Sequence, residues 1–215
     1  MFTFSGDINK WASFGSIAVA FIFSLFLISS DLDCILTQVA LSTTVMADLF
    51  LVIVQPMNQL VSMIFFSVTQ ICYFLRILFN SKSKLEKIVH LFVRGLVIIG
   101  VIIVAIVVLK EKIDALSIIS VFYFANLVLN VIFAFIQFKK SILFPIGLFL
   151  FMICDIIIGL RSAIGVYLNV PQSSFLYQIA FSSFDWAWLF YLPAQVLIVL
   201  SLYSKKYRQD KSQQN

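Results

Sequence analysis

Seven runs of about 20 mainly apolar residues, at roughly 11–29, 34–54, 59–79, 88–109, 115–138, 142–168 and 176–203, fill most of the 215-residue chain. A helix of about 20 residues is about 30 Å long, the thickness of a bilayer's hydrocarbon core, and in lipid only helices and closed barrels satisfy their own backbone groups. The breaks between the runs are short: Ser30–Asp33, Gln55–Asn58, the lysine-bearing 80–87, Lys110–Asp114, Lys139–Ser141 and Asn169–Ser174. None can fold alone. The expectation is an all-α, polytopic membrane helix bundle of about seven transmembrane helices, with one bundle domain over 1–204 and a polar, basic tail at 205–215. Composition agrees, since 62% of residues are hydrophobic and 12% charged, against about 25% charged in a soluble domain. The first run has no convincing basic stretch before it and another run follows at once, so it is expected to be a mature helix rather than a cleaved signal.

The net charge of +5 does not describe a nucleic-acid-binding face, because the basic residues fall in the short breaks and the tail. There they report orientation. Lys82, Lys84, Lys87, Lys139, Lys140, Lys205, Lys206, Arg208 and Lys211 lie on one side, against Lys10, Lys110 and Lys112 on the other. Cytoplasmic loops retain Lys and Arg, so the N-terminus is expected outside and the C-terminus in the cytoplasm of a cell membrane. Cys34, Cys72 and Cys154 lie in or beside apolar runs without metal or disulfide spacing, and His90 is the single histidine. Buried free thiols are expected, and no metal or other cofactor is implied.

An ionisable group in hydrocarbon costs at least about 2.5–3.5 kcal/mol, so it needs a partner, a neutral state or a use. Asp48 lies well inside the second run and Asp155 well inside the sixth. Both runs point the same way, and the two residues fall at similar depth. If they face one cleft they share a proton, which makes one a general acid and the other a base, a pairing suited to acid-catalysed hydrolysis. The bland alternative is a pair of neutral acids tied to neighbouring helices by hydrogen bonds. Thr69, Gln70, Tyr73, Asn126, Asn130, Tyr191 and Gln195 are polar positions that would line the same cleft or join helices, with Asn126 and Asn130 on one helical face. Arg94 and Arg161 are bases within the runs; Arg161 lies near a helix end, where it would snorkel or meet a lipid phosphate. Asp185 sits near the interface beside Trp186 and Trp188, which read as belt residues.

Four spaced segments resemble the YhhN-like lysoplasmalogenase family. Thr44–Leu51 looks like its Gly-Asp-x-Phe/Leu-Leu helix, Phe65–Tyr73 like its Phe…His-x-x-Tyr segment, Phe149–Ile158 like its Phe-x-x-Ser-Asp stretch, and Leu189–Ile198 like its closing Tyr-Tyr-x-x-Gln-x-Leu-Ile helix. The segments run in the family's order over about 40–200. Ala47 stands where the family has glycine, Gln70 where it has histidine and Cys154 where it has serine, and seven runs are counted where eight are commonly drawn. The resemblance implies hydrolysis of the vinyl ether bond of a lysoplasmalogen to a fatty aldehyde and a glycerophospho-alcohol. Asp48 and Asp155 would be the acid and base. Gln70, Tyr73, Asn126, Tyr191 and Gln195 would position water or headgroup, and the partners would be a lysophospholipid and the surrounding membrane lipids. A proton-coupled transporter using the same aspartates is the competing expectation, lowered by the lack of an internal repeat. A receptor-like protein has only helix count in its favour. A retinal pigment is disfavoured because the seventh run holds no lysine.

Overall fold

The computed structural model describes residues 6–27, 31–54, 56–81, 83–138, 141–164, 166–182 and 184–214. It is an all-helical bundle. In chain order the α-helices are α1 (Gly6–Leu25), α2 (Leu32–Asp48), α3 (Gln59–Asn80), α4 (Lys84–Leu109), α5 (Ala115–Gln137), α6 (Leu143–Ala163), α7 (Phe175–Ala180) and α8 (Trp186–Gln214). Among the described residues, six helical segments are long and apolar enough to cross a membrane, and Phe14–Leu25 of α1 is a shorter apolar helix. Of the basic residues that argue orientation, Lys82, Lys139 and Lys140 lie outside the described residues.

Helix starts follow from side-chain acceptors offered to the free N–H groups of a first turn. Asp31 caps α2, Asn58 caps α3 and Asp114 caps α5, while Ser83 and Glu86 form a reciprocal capping box on α4. Two boundaries differ from the hydropathy reading. The sixth run, expected to reach 168, ends as a helix at Ala163, because Ile164 turns extended (φ −67°, ψ 130°). The seventh, expected from 176, is interrupted: α7 closes at Ala180, and Phe184 N–H donates to the Ser182 hydroxyl at 3.2 Å before α8 starts at Trp186. Hydropathy alone does not register such a polar turn, since the residues around it remain apolar. The segment from 205 onward continues α8 as far as Gln214.

The helices pack unevenly. α6 and α8 make the most extensive contact, followed by α2 with α3 and α3 with α5, whereas α4 packs mainly on α5. Gly147 lets α6 approach α8: a Cβ there would meet Ile198 Cγ1 at 2.8 Å and the Ala194 carbonyl oxygen at 3.0 Å. α2 and α3 are tied by hydroxyls, with Thr43 and Thr69 Oγ1 at 2.8 Å and Ser62 Oγ donating to the Ala47 carbonyl at 2.9 Å. Two buried cations brace the bundle. Arg76 of α3 donates to Asp33 of α2 at 2.8 Å and to Ser201 of α8 at 3.0 Å, under the ring of Phe144 at 4.0 Å. Arg94 of α4 donates to Asn126 at 2.5 Å and Asn130 at 2.7 Å on α5, and stacks on Phe74 at 4.1 Å.

Candidate active site

Asp48 is the last residue of α2, and the backbone then widens into a π-turn over Leu49–Ile53. Such turns gather at functional sites because they shift side chains off the α-helical register. Asp155 lies in the middle of α6. Counting back from Ile53 and Ala163, the two carboxyls sit about 8 Å and about 12 Å below the same end of the bundle, at 1.5 Å per residue. Both line one cavity of about 1230 Å³, which reaches the end carrying the 54–58, 110–114 and 164–185 connections.

Each carboxyl has its own tyrosine. The Tyr191 hydroxyl of α8 donates to Asp48, and the Tyr123 hydroxyl of α5 donates to Asp155; only one oxygen of each carboxyl is used, and the other bonds nothing among the described residues. The tyrosines are linked by rings: Tyr191 meets Phe151 edge-on at 5.6 Å, Phe151 lies 6.2 Å from Phe66, and Phe66 lies 5.8 Å from Tyr123. Trp188 stands 5.4 Å from Tyr191. Interlocked rings of this kind hold the two hydroxyls, and through them the two acids, in fixed positions.

The remaining wall is largely apolar, with Leu51, Met63, Phe66, Val121, Phe124 and Ile158 among its members. Near the mouth Arg161 donates from Nε to the Ala180 carbonyl at 2.5 Å and from Nη2 to Asp185 at 3.1 Å. Arg161 is thus bonded to the connection leading into α8 rather than pointing freely into lipid. Trp188, expected in an interfacial belt, faces the cavity.

The structure brings together Asp48, Asp155 and Tyr191 of the sequence-derived set. Gln70, Tyr73, Asn126 and Gln195 are buried but do not line the cavity. Asn126 is taken up by Arg94. Gln70 accepts from Asn130 at 3.0 Å through its side chain and at 2.8 Å through its carbonyl. Tyr73 packs edge-on to Phe144 at 5.6 Å, and neither its hydroxyl nor the amide of Gln195 bonds anything among the described residues. Tyr123 escaped the sequence reading. It shares a helical face with Asn126 and Asn130, which was the available signal, but a tyrosine in an apolar run draws little notice. Arg76 and Asp33 escaped too: Asp33 fell in a break between runs, and Arg76, inside the third run, drew no reading.

The YhhN family model matches residues 10–202, nearly all of the bundle. The chain belongs to the YhhN family. No curated protein and no solved structure matches it. Ala47 and Cys154, two of the positions at which the sequence departs from the pattern it resembles, are both buried. Ala47 is fully buried and its carbonyl takes the Ser62 hydroxyl, so a small side chain suffices there. Cys154, also buried, precedes Asp155 in the cavity wall.

Proposed function

We propose that this YhhN protein is an integral membrane hydrolase that cleaves the vinyl ether bond of lysoplasmalogens, with Asp48 and Asp155 as its acid–base pair. The observation that carries the reading is the opening of both carboxyls onto one large apolar cavity, each held by a separate tyrosine. A vinyl ether needs a proton on carbon and a stabiliser for the cation that results. The neutral acid delivers its proton to the alkene carbon remote from oxygen, giving an oxocarbenium ion. The neighbouring carboxylate stabilises that ion and takes a proton from the attacking water. The hemiacetal then breaks its bond to the glycerol oxygen, which takes the proton that water gave to the second carboxyl, while the hemiacetal hydroxyl returns a proton to the first acid and a fatty aldehyde leaves. One water is consumed, and neither a covalent intermediate nor a redox partner enters the balance. Tyr123 and Tyr191 act as positioning residues, and the apolar wall suits the hydrocarbon chain.

The test is aldehyde release from a lysoplasmalogen by the purified, detergent-solubilised protein beside Asp48→Asn and Asp155→Asn. Turnover that both variants lose, with melting temperatures near wild type, is expected. Well-folded wild-type protein that releases no aldehyde, or either variant retaining full turnover, overturns the proposal.

A further inference from the structure

The cavity is lined by three carboxylates, Asp48, Asp155 and Asp185, and by a single cation among the described residues, Arg161. Asp48 and Asp155 lie deep and belong to the chemistry described above. Arg161 and Asp185 lie at the mouth, with side chains 30% and 62% exposed. An exposed ion pair of this sort contributes only about 0–1 kcal/mol. A guanidinium, by contrast, offers a planar fork that matches a phosphate bidentately and binds it through charge-assisted bonds. The pair is therefore easily exchanged. The Ala180 carbonyl holds Nε of Arg161 independently of Asp185, so the guanidinium keeps its place when the carboxylate leaves.

Distance along α6 gives a second, independent indication. Arg161 follows Asp155 by six residues, a rise of about 9 Å. In a lysoplasmalogen, seven bonds separate the alkene carbon that takes the proton from the phosphorus, and an extended chain covers that many in about 8 Å. A lipid with its vinyl ether at Asp155 thus has its phosphate at the level of Arg161.

We propose that Arg161 is the phosphate-holding residue of this cavity and that Asp185 is the protein's own occupant of the same place, displaced when a phosphodiester lipid seats. The inference rests on the hydrolase reading for its choice of lipid, but its test does not depend on turnover. The probe is a long-chain saturated 1-O-alkyl glycerophosphoethanolamine, which lacks the vinyl group and cannot be cleaved. Its binding to the full-length protein in detergent micelles is followed by tryptophan fluorescence and compared with that of the 1-O-alkylglycerol of equal chain length, which lacks phosphate. Wild type is expected to prefer the phosphate-bearing ether by at least about tenfold, the worth of one charge-assisted bond. Arg161→Gln should lose that preference and Arg161→Lys should keep part of it. Asp185→Asn should tighten binding of the phosphate-bearing ether, because a competitor for the guanidinium is gone. An undiminished preference in Arg161→Gln overturns the assignment, as does weaker binding in Asp185→Asn. Inorganic phosphate that competes as strongly as the lipid would show a free-anion site and overturn the headgroup assignment. Loss of aldehyde release with the preference intact would remove the hydrolase reading alone.

Discussion

At Gly147 the α6–α8 contact leaves no room for one added atom. Replacing it by alanine adds a Cβ 2.8 Å from Ile198 Cγ1, 3.0 Å from the Ala194 carbonyl oxygen and 3.2 Å from the Ile198 backbone nitrogen. Ordinary contacts of this kind lie at about 3.5–4.0 Å. A side chain can rotate away, but the Ala194 carbonyl belongs to the helix backbone, so α6 and α8 must separate by several tenths of an ångström. Overpacking costs about 1–3 kcal/mol. For a chain of this size, each 1 kcal/mol lowers the melting temperature by about 2–4 °C, so Gly147→Ala is expected to lose about 2–12 °C. The control is Gly100→Ala on α4, where an added Cβ meets nothing within 4 Å. Removing a helical glycine there stabilises by about 0.5–1 kcal/mol. Because α6 carries Asp155 and α8 carries Tyr191, Gly147→Ala should also lower turnover at temperatures where the protein remains folded. The assay is a thermal melt in detergent by intrinsic fluorescence, with aldehyde release measured alongside. Equal melting temperatures for the two glycine variants would refute the reasoning.

Three further outcomes follow from the described contacts. Asp33→Asn leaves the buried Arg76 guanidinium without its counter-charge and should cost about 3–5 kcal/mol, read as a fall in melting temperature; a change below about 1 kcal/mol would mean that the Asp33–Arg76 pair does not brace the bundle. Tyr191→Phe and Tyr123→Phe each remove one hydrogen bond to a carboxyl, worth about 1.5–3 kcal/mol, so kcat should fall about 10- to 150-fold with the fold retained; unchanged kcat in both would exclude the tyrosines as positioning groups. The Ser117 hydroxyl and N–H both donate to Asp114, and these bonds hold its carboxyl below the ordinary carboxylate value. With the folded value below the unfolded one, this contribution is present above about pH 4 and is lost as pH falls through the folded value. The melting-temperature gap between wild type and Asp114→Asn should therefore shrink on acidification, and a gap constant from pH 7 to pH 3 would contradict the cap.

The helices were legible because lipid demands length and apolarity and little else, so counting apolar residues recovers them nearly one for one. The break near 182 was hidden because it is a short polar turn, with a backbone N–H donating to the Ser182 hydroxyl, which a hydropathy window averages away. Asp48 and Asp155 stood out through their cost in hydrocarbon, and the structure places both in one cavity. Gln70, Tyr73, Asn126 and Gln195 drew notice for the same reason, yet polarity within a span says nothing about which helix it faces. Asn126 accepts from a cation on the preceding helix, Gln70 accepts from Asn130, and the hydroxyl bonded to Asp155 is that of Tyr123.

Arg94 bears on how the bundle is made. The buried positions of α4 are His90 and Arg94, and the bonds from Arg94 run to α5. A chain entering the bilayer from its N-terminus commits Arg94 before Asn126 and Asn130 have been synthesised, at a cost of about 2.5–3.5 kcal/mol. The span Lys84–Lys112, whose most apolar 18-residue stretch has mean hydropathy 3.0, outweighs that cost. α4 can therefore enter first, with Phe74 of the preceding helix beside the guanidinium, and α5 then brings the two side-chain carbonyl oxygens that receive it. The fourth and fifth helices become a defined hairpin only as a pair, keyed by Arg94 on Asn126 and Asn130 and by His90 beside Phe133 and Gln137.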